Sequence, residues 1–300
     1  MWPFAHYNGS FGRNGSRLSE NLQFWVKALK SKNKKSDIGA QPKAKPVAAK
    51  SRLDELLVAK GLAPTLSEAR ALIMAGKVVV GDQRQDKPGY KVPPGESVRI
   101  KQESRFVSRG GEKLWAAVHD LGVEREFQEK VVLDVGASTG GFTHCCLELG
   151  AKAVISLDVG VAQLAWQLRQ DPRVTVLERT DLRLFEAQEH PPIDWVVADI
   201  SFNSLGKLAG ALRKAAPRAG TGFLLLIKPQ FELPKGAVPK GGVVTDEAQR
   251  LAAIESASRA LDAVGLVESR VVPSRVHGRS GNLEFFFYAR PATDYRSAVE

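Results

Sequence analysis

Cysteine and long apolar runs are both scarce in this chain of 300 residues. Its two cysteines, Cys145 and Cys146, are adjacent, and that spacing offers neither a disulfide framework nor a set of metal ligands. No apolar run approaches the ~18 residues that a membrane-spanning helix needs. We therefore expect a globular protein of a reducing compartment, with no metal and no membrane span, and we place it in the cytoplasm.

Most of the chain has little or no excess of positive charge, although the net charge of the whole chain is +10 at pH 7. Residues 1–50 contain ten Lys and Arg against two acidic residues, residues 51–104 contain nine against seven, and residues 105–300 contain 24 of each. Because the excess lies in the first 50 residues, overall basicity is no argument for nucleic-acid binding by the rest of the chain.

Residues 1–50 are predicted to form a basic, disordered tail. They combine clustered lysines with prolines and lack the continuous apolar core of a secretory signal. Three alternatives stay open for this segment: a solvated tail without function, a basic arm that adds affinity for RNA, and an organelle transit peptide.

A glycine-rich turn follows the predicted strand Val131–Val135. It reads Gly136-Ala137-Ser138-Thr139-Gly140-Gly141-Phe142, and its glycines let the backbone take unusual dihedral angles and approach a ligand closely. The spacing departs from the G-x-G-x-x-G of dinucleotide sites, and the Gly-Lys-Ser/Thr of a phosphate loop is missing. Both absences favour a ligand without a diphosphate.

Acidic residues stand near three predicted strand ends: Asp134 before the turn, Asp158 after the second strand and Asp181 after the third. In nucleoside-binding doubly wound folds, an acid after the second strand binds the ribose hydroxyls. An amino-acid end, a ribose and an adenine at successive strand ends match S-adenosylmethionine, whereas the alternative is a generic α/β turn with solvated acids. The predicted cofactor contacts are Asp134, Gly136, Ala137, Ser138, Thr139, Gly140, Gly141, Phe142, Asp158, Asp181 and Asp199.

Two short apolar runs each end in one charged residue: Trp195–Ala198 leads into Asp199, and Phe223–Ile227 leads into Lys228. Such runs suit central strands of a parallel sheet, whose carboxyl ends are where open α/β sheets bind ligands. Strands and helices alternate from residue 130 onward, with one helix over Ala162–Arg169, and this alternation predicts a doubly wound sheet in an α/β fold. A simple buried ion pair, or two unrelated strand caps, are the alternatives.

Two further charged residues complete a candidate site of four. Lys113 begins a predicted helix after a Gly110-Gly111 loop, and Glu284 starts an aromatic strand, where a lone acid is out of place. Methyl transfer to a ribose 2′-hydroxyl requires that this poor nucleophile be aligned with the methyl group and lose its proton during the attack. A lysine whose surroundings favour the neutral amine accepts such a proton, while carboxylates orient the lysines and the hydroxyl. The candidate catalytic residues are Lys113, Asp199, Lys228 and Glu284.

Residues 51–104 are predicted to form a small α+β domain, with two helices and a few strands separated by glycine-containing turns. The stretch resembles the RNA-binding domain that is named after a small-subunit ribosomal protein and contains the αL motif. The residues that carry the resemblance are Arg52-Leu53-Asp54, Ser67-Glu68-Ala69-Arg70, Ile73, Gly76 and Val78-Val79-Val80. By that resemblance, the candidates for contact with structured RNA are Arg52, Arg70 and Lys77, to which we add Arg109 of the following segment. A small domain with merely solvated charges is the alternative.

The rest of the chain resembles the FtsJ-like ribose 2′-O-methyltransferases in the order Lys–Asp–Lys–Glu of its four candidate residues. The TlyA family in particular is similar in several segments. These segments are Ser108-Arg109-Gly110-Gly111-Glu112-Lys113-Leu114, Gly136-Ala137-Ser138-Thr139-Gly140-Gly141-Phe142, Asp158-Val159-Gly160, Asp199-Ile200-Ser201-Phe202 and Lys228-Pro229-Gln230-Phe231-Glu232.

This resemblance implies a Rossmann-like class I methyltransferase domain over residues 105–300, preceded by the RNA-binding domain over residues 51–104. It also implies S-adenosylmethionine as cofactor, ribosomal RNA or ribosomal subunits as partners, and 2′-O-methylation of a cytidine in 16S and/or 23S rRNA, with Lys228 as the proton acceptor. Family members are also named haemolysins. A haemolysin-like membrane-active protein and a non-catalytic RNA-binding module are therefore the alternatives.

Overall fold

The computed structural model describes residues 51–81, 83–100 and 104–295. The chain divides into two compact units, with the border between Ser104 and Arg105. The predicted basic tail of residues 1–50 lies outside the described residues.

The small unit is an α+β module, as the sequence predicts. Thr65 begins its second helix because its hydroxyl accepts a hydrogen bond from the Glu68 amide at 3.2 Å. Gly76 follows that helix with φ +63°, a left-handed conformation that glycine adopts without strain. The elements of the unit are β1 (Ser51–Arg52), α1 (Leu53–Ala59), α2 (Leu66–Met74), β2 (Val78–Val80), β3 (Gln83–Gln85), β4 (Lys91–Val92) and β5 (Val98–Ile100).

The large unit alternates strands and helices around one sheet. Its elements are α3 (Arg109–Leu121), β6 (Val131–Val135), α4 (Gly141–Glu148), β7 (Ala153–Leu157), α5 (Trp166–Arg169), β8 (Val174–Leu177), β9 (Trp195–Ala198), α6 (Leu205–Ala215), β10 (Gly222–Ile227), α7 (Pro229–Glu232), α8 (Glu247–Asp262), β11 (Glu268–Pro273) and β12 (Phe285–Ala289). The strand order is β8-β7-β6-β9-β10-β12-β11, with β8 to β10 parallel and β12 antiparallel to both its neighbours. The predicted doubly wound sheet is confirmed.

Apolar side chains cover both faces of this sheet, which explains why its central strands are apolar throughout. In β9, Val196 and Ala198 belong to one buried cluster, whereas Trp195 and Val197 belong to the cluster on the opposite face. Full burial of a side chain the size of valine contributes about 1.5–3 kcal/mol of stability. The same core therefore fixes the carboxyl ends of the central strands.

The structure corrects one predicted helix start. Helix α3 begins at Arg109 rather than Lys113, because the Ser108 hydroxyl caps it by accepting a hydrogen bond from the Gly110 amide at 3.3 Å. Gly110 and Gly111 thus lie in the first helical turn and not in a loop. A side chain at Gly111 would collide with the ring of Phe106, so the missing side chain lets that ring pack against the helix.

The predicted helix over Ala162–Arg169 is also shorter than expected. Only Trp166–Arg169 is helical, since Ala162 has φ +54°, which is incompatible with a right-handed helix. The residues after β7 therefore run as an irregular loop past the glycine-rich turn.

Candidate active site

The four candidate catalytic residues come from elements that meet at the carboxyl edge of the sheet. Asp199 follows β9, and Lys228 follows the neighbouring strand β10. Glu284 directly precedes β12, whose first residue Phe285 is paired with Ile227 at the end of β10. Glu284 and Lys228 therefore extend from the same end of adjacent strands, and Lys113 reaches Glu284 from helix α3.

The first pair, Lys113 and Glu284, is closed off from solvent. The Lys113 Nζ donates a hydrogen bond to the Glu284 Oε2 at 2.7 Å, and the residues are 7% and 2% exposed. A side chain at Gly278 would collide with the Glu284 Oε1, so glycine there leaves room for the carboxylate. Because a buried charge is costly unless it is paired, each residue accounts for the burial of the other.

The second pair, Lys228 and Asp199, is arranged differently. The Lys228 Nζ lies 2.6 Å from the Asp199 Oδ1, which is ion-pair distance, but the two groups are not aligned as a hydrogen bond. The Nζ instead donates a hydrogen bond to the Ser201 hydroxyl at 2.8 Å. The Lys228 side chain is buried, whereas that of Asp199 is 23% exposed. The second pair is thus partly open to solvent on its Asp199 side.

The glycine-rich turn borders this second pair. The Asp199 amide donates a hydrogen bond to the Val135 carbonyl at 3.0 Å, which joins the two strand ends. Gly136 has φ +79°, and a Cβ there would lie 2.9 Å from the Asp199 carbonyl oxygen. Only glycine permits this approach. The strand order reverses between β6 and β9, and ligands of open α/β sheets bind at such a switch point.

Asp134 lies under the turn and is fully buried. Its Oδ2 accepts a hydrogen bond from the Thr143 hydroxyl at 2.6 Å, whereas its Oδ1 has no hydrogen-bond partner. Burial raises the pKa of Asp134 to about 7, mainly because the charged form loses its hydration. An unpartnered buried acceptor beside a glycine-rich turn fits a ligand that brings a donor, such as an amino group.

Asp158 and Asp181, the other predicted cofactor acids, differ in how their oxygens are used. Asp158 follows β7 and accepts backbone hydrogen bonds from Ser138 and Gly160, each at 2.7 Å, so it ties the turn to the strand end. Asp181 is held by both Nε and Nη2 of Arg183, at 2.9 and 2.6 Å. These hydrogen bonds lower the pKa of Asp181 to about 2. Its carboxylate is thus accounted for without a ligand, and adenine binding there stays a prediction.

Sequence reasoning assigned no role to Phe202, which the structure singles out beside the site. Its side chain is 88% exposed, although it follows Ser201, the partner of Lys228. Its φ of +66° is rare for a bulky residue, and its ring lies 5.7 Å from that of Phe231. The one signal available in the sequence was that an aromatic residue stands three positions after Asp199, the acid at the end of β9.

The candidate RNA contacts lie in both units. In the small unit, Arg52 binds the buried Asp54 through two hydrogen bonds of 3.0 and 2.8 Å, and Arg70 binds it at 3.1 Å. Arg52 and Arg70 together lower the pKa of Asp54 to about 2, and both side chains stay partly exposed. Lys77 is half-buried, and in the large unit Arg109 is exposed at the start of α3.

Two family models match the chain in the two units described above. The S4 domain matches residues 51–98, and the FtsJ-like methyltransferase matches residues 106–290. The chain belongs to the FtsJ-like methyltransferase family. Among its relatives is the 16S/23S rRNA (cytidine-2'-O)-methyltransferase TlyA of Mycobacterium tuberculosis (strain ATCC 25618 / H37Rv), with 40% identity over 83% of this chain and 92% of the relative. The resemblance to the TlyA family is confirmed.

Two further similar proteins carry the name hemolysin. Hemolysin A of Brachyspira hyodysenteriae is 36% identical over 78% of this chain and 97% of its own length. The solved structure of a Streptococcus thermophilus protein that is named as a hemolysin covers 84% of this chain and 92% of its own, with 34% identity and a TM-score of 0.63. In the described part of this FtsJ-like chain, none of the helices has the length and apolarity to cross a membrane.

Proposed function

We propose that this FtsJ-like enzyme transfers a methyl group from S-adenosylmethionine to the ribose 2′-hydroxyl of a cytidine in ribosomal RNA. One observation carries the proposal: two lysine–carboxylate pairs meet at the carboxyl edge of the sheet, beside the glycine-rich turn. The family match and the activity for which the TlyA relative is named support it.

The turn and its neighbours fit S-adenosylmethionine. Gly136–Phe142 would supply backbone groups, Asp134 its free buried oxygen and Asp158 the remaining lone pairs of its carboxylate. When bound, the cofactor supplies the methyl group. Asp181 would contact the adenine only if its carboxylate serves Arg183 and the ligand together.

The residues of the second pair handle the proton. Lys228, as the neutral amine, accepts it from the 2′-hydroxyl as that oxygen attacks, since a positioned base is what a poor nucleophile needs. Asp199, 2.6 Å away, then stabilises the ammonium that forms, and Ser201 holds the amine in place. Lys113 and Glu284, fixed by mutual hydrogen bonding, orient the hydroxyl.

RNA is held by contacts of two kinds. Arg52, Arg70, Lys77 and Arg109 would pair with phosphates, which makes binding sensitive to salt. Phe202 would stack on an unpaired base, because bases that leave the helix stack on exposed aromatic side chains.

Methylation of purified ribosomal subunits tests the proposal. The enzyme is incubated with labelled S-adenosylmethionine and with small or large subunits separately, and incorporated label is counted. We expect label in the rRNA of one or both subunits. No label in either, together with leakage of liposomes at low protein concentration, would instead favour the membrane-active alternative.

A further inference from the structure

The loops that carry Asp199 and Lys228 are joined by a contact outside the four candidate catalytic residues. Glu232 ends helix α7, four residues after Lys228, and is 9% exposed. Its Oε1 accepts a hydrogen bond from the Leu205 amide and its Oε2 one from the Ser204 hydroxyl, both at 2.7 Å. Ser204 and Leu205 lie at the start of α6, in the loop that begins with Asp199.

Burying the Glu232 carboxylate away from water costs free energy unless other groups compensate its charge. Burial raises its pKa, and the two hydrogen bonds oppose that effect. In the described residues, both oxygens bind the Asp199 loop and no cation pairs with the carboxylate. The partial positive charge at the start of the 11-residue helix α6 favours the carboxylate further. All these contacts join one strand-end loop to the other.

The two loops are consequently fastened at both ends. At the strand side, Lys228 meets Asp199 and Ser201. At the helix side, Glu232 meets the first turn of α6. A lysine side chain has four flexible carbons, so its amine keeps one position only if the backbones on both sides are fixed.

We propose that Glu232 is a positioning residue for methyl transfer, because it holds the Lys228 loop and the Asp199 loop in the register that brings the amine to Asp199 and Ser201. The expected loss of kcat rests on the proposed function, whereas the expected displacement of the Lys228 amine does not. Glu232 touches neither substrate nor cofactor in this account.

The test compares Glu232→Ala with Glu232→Gln. Glutamine keeps both contacts, since its oxygen accepts from the Leu205 amide and its amide donates to the Ser204 hydroxyl. We expect Glu232→Ala to lower kcat about 30-fold with the KM for S-adenosylmethionine changed less than two-fold, because small misplacement of reacting groups costs up to ~100-fold. Glu232→Gln is expected to keep kcat within about three-fold of the unchanged enzyme.

A control variant separates positioning from general destabilisation. Arg213→Ala removes another buried polar residue, which holds the carbonyl of Ala216 after helix α6 and that of Thr293 after strand β12. It is expected to lower Tm while leaving kcat per folded molecule unchanged. Equal kcat losses in Glu232→Ala and Arg213→Ala, or a Glu232→Gln variant as slow as Glu232→Ala, would overturn the proposal. Should Glu232→Ala not fold, Ser204→Ala removes one of the two contacts and is expected to give a smaller kcat loss in the same direction.

A second readout does not depend on methyl transfer. Acetic anhydride labels lysine amines according to their accessibility, and mass spectrometry measures the labelled fraction of each lysine. In Glu232→Ala we expect labelling of Lys228 to rise several-fold while that of Lys113 stays unchanged. Suppose that the unchanged enzyme transfers no methyl group, but Glu232→Ala still raises the labelling of Lys228. The proposed function would then fail, whereas the role of Glu232 in holding the Lys228 amine would stand. Unchanged labelling of Lys228 would contradict the positioning role of Glu232 and leave the proposed function unaffected.

Discussion

The two lysine–carboxylate pairs of the site have similar lengths but different surroundings. Lys113 and Glu284 are both buried and form a direct hydrogen bond, so their charges satisfy each other. Lys228 is as buried as Lys113, yet its carboxylate partner is partly exposed and its hydrogen bond goes to Ser201. A closed pair fixes structure, whereas an open pair leaves an amine that can exchange a proton with a substrate.

This difference separates two kinds of loss. Breaking the closed pair leaves an uncompensated buried charge and should cost stability as well as activity. Breaking the open pair leaves Asp199, which water can reach, and should cost mainly activity.

The largest effect is expected for Lys228→Ala. It removes the proton acceptor, so kcat should fall about 1,000-fold while S-adenosylmethionine still binds. Single-turnover kinetics and calorimetry measure the two quantities. Lys214→Ala, an exposed lysine of α6 that lies 3.8 Å from Glu186, serves as the control and should keep full activity. A Lys228→Ala enzyme with more than a tenth of the normal kcat would remove the base role from Lys228.

Lys113→Met should have the largest effect on stability. It leaves the Glu284 carboxylate buried without a partner, at a cost of about 3–5 kcal/mol in the free energy of unfolding. The double variant Lys113→Met/Glu284→Leu should regain most of that stability and stay inactive. Urea unfolding measures the free energy of unfolding of each protein. If Lys113→Met were as stable as the unchanged protein, the pair would not be closed.

Asp134 makes stability depend on pH. Its pKa is about 7 in the folded protein against an ordinary 3.8, so folding favours the protonated form. The stabilisation is complete below about pH 4 and is lost as pH rises to 7, on the order of 2–4 kcal/mol. Asp134→Asn carries no such charge, and its unfolding free energy should change less over this interval. Parallel pH profiles for the two proteins would contradict the burial effect.

Gly278→Ala tests the space behind the closed pair. The added Cβ would collide with the Glu284 Oε1 and displace the carboxylate from Lys113, so we expect a kcat about 10-fold lower. Gly210→Ala is the matched control, because a Cβ there meets no atom within 4 Å, and it should keep kcat. Equal kcat values for both variants would mean that the position of Glu284 does not matter.

Phe202→Ala should give the smallest effect. The side chain is so exposed that Tm should not change, whereas loss of stacking should raise the KM for RNA about 5-fold. Leu184→Ala, which truncates another exposed apolar side chain, should leave that KM unaltered. Phe202→Trp should restore binding, and failure of that rescue would argue against stacking.

Much of the candidate site was predictable because strand ends follow from local pattern. Short apolar runs with a terminal charge identified Asp199 and Lys228, and parallel strands necessarily bring such ends to one edge. The glycine-rich turn was equally local. Glu284 stood out as an acid at the start of an aromatic strand, which here lies next to β10.

What sequence reasoning missed depends on contacts between residues distant in the chain, or on backbone conformation. Glu232 binds Ser204 and Leu205, and no local pattern indicates which amide a buried acid will meet. The start of α3 moved because a serine caps it. For Asp181, the sequence did not indicate that Arg183, two residues on, holds the carboxylate.

Identification of the methylated nucleoside tests the central claim most directly. Ribosomal RNA labelled by the enzyme is digested to nucleosides, which are separated and identified by mass spectrometry. A site of two lysines and two carboxylates that acts on a ribose hydroxyl predicts 2′-O-methylcytidine, formed about 1,000-fold more slowly in the Lys228→Ala reaction. A cytidine methylated on its base would contradict the account.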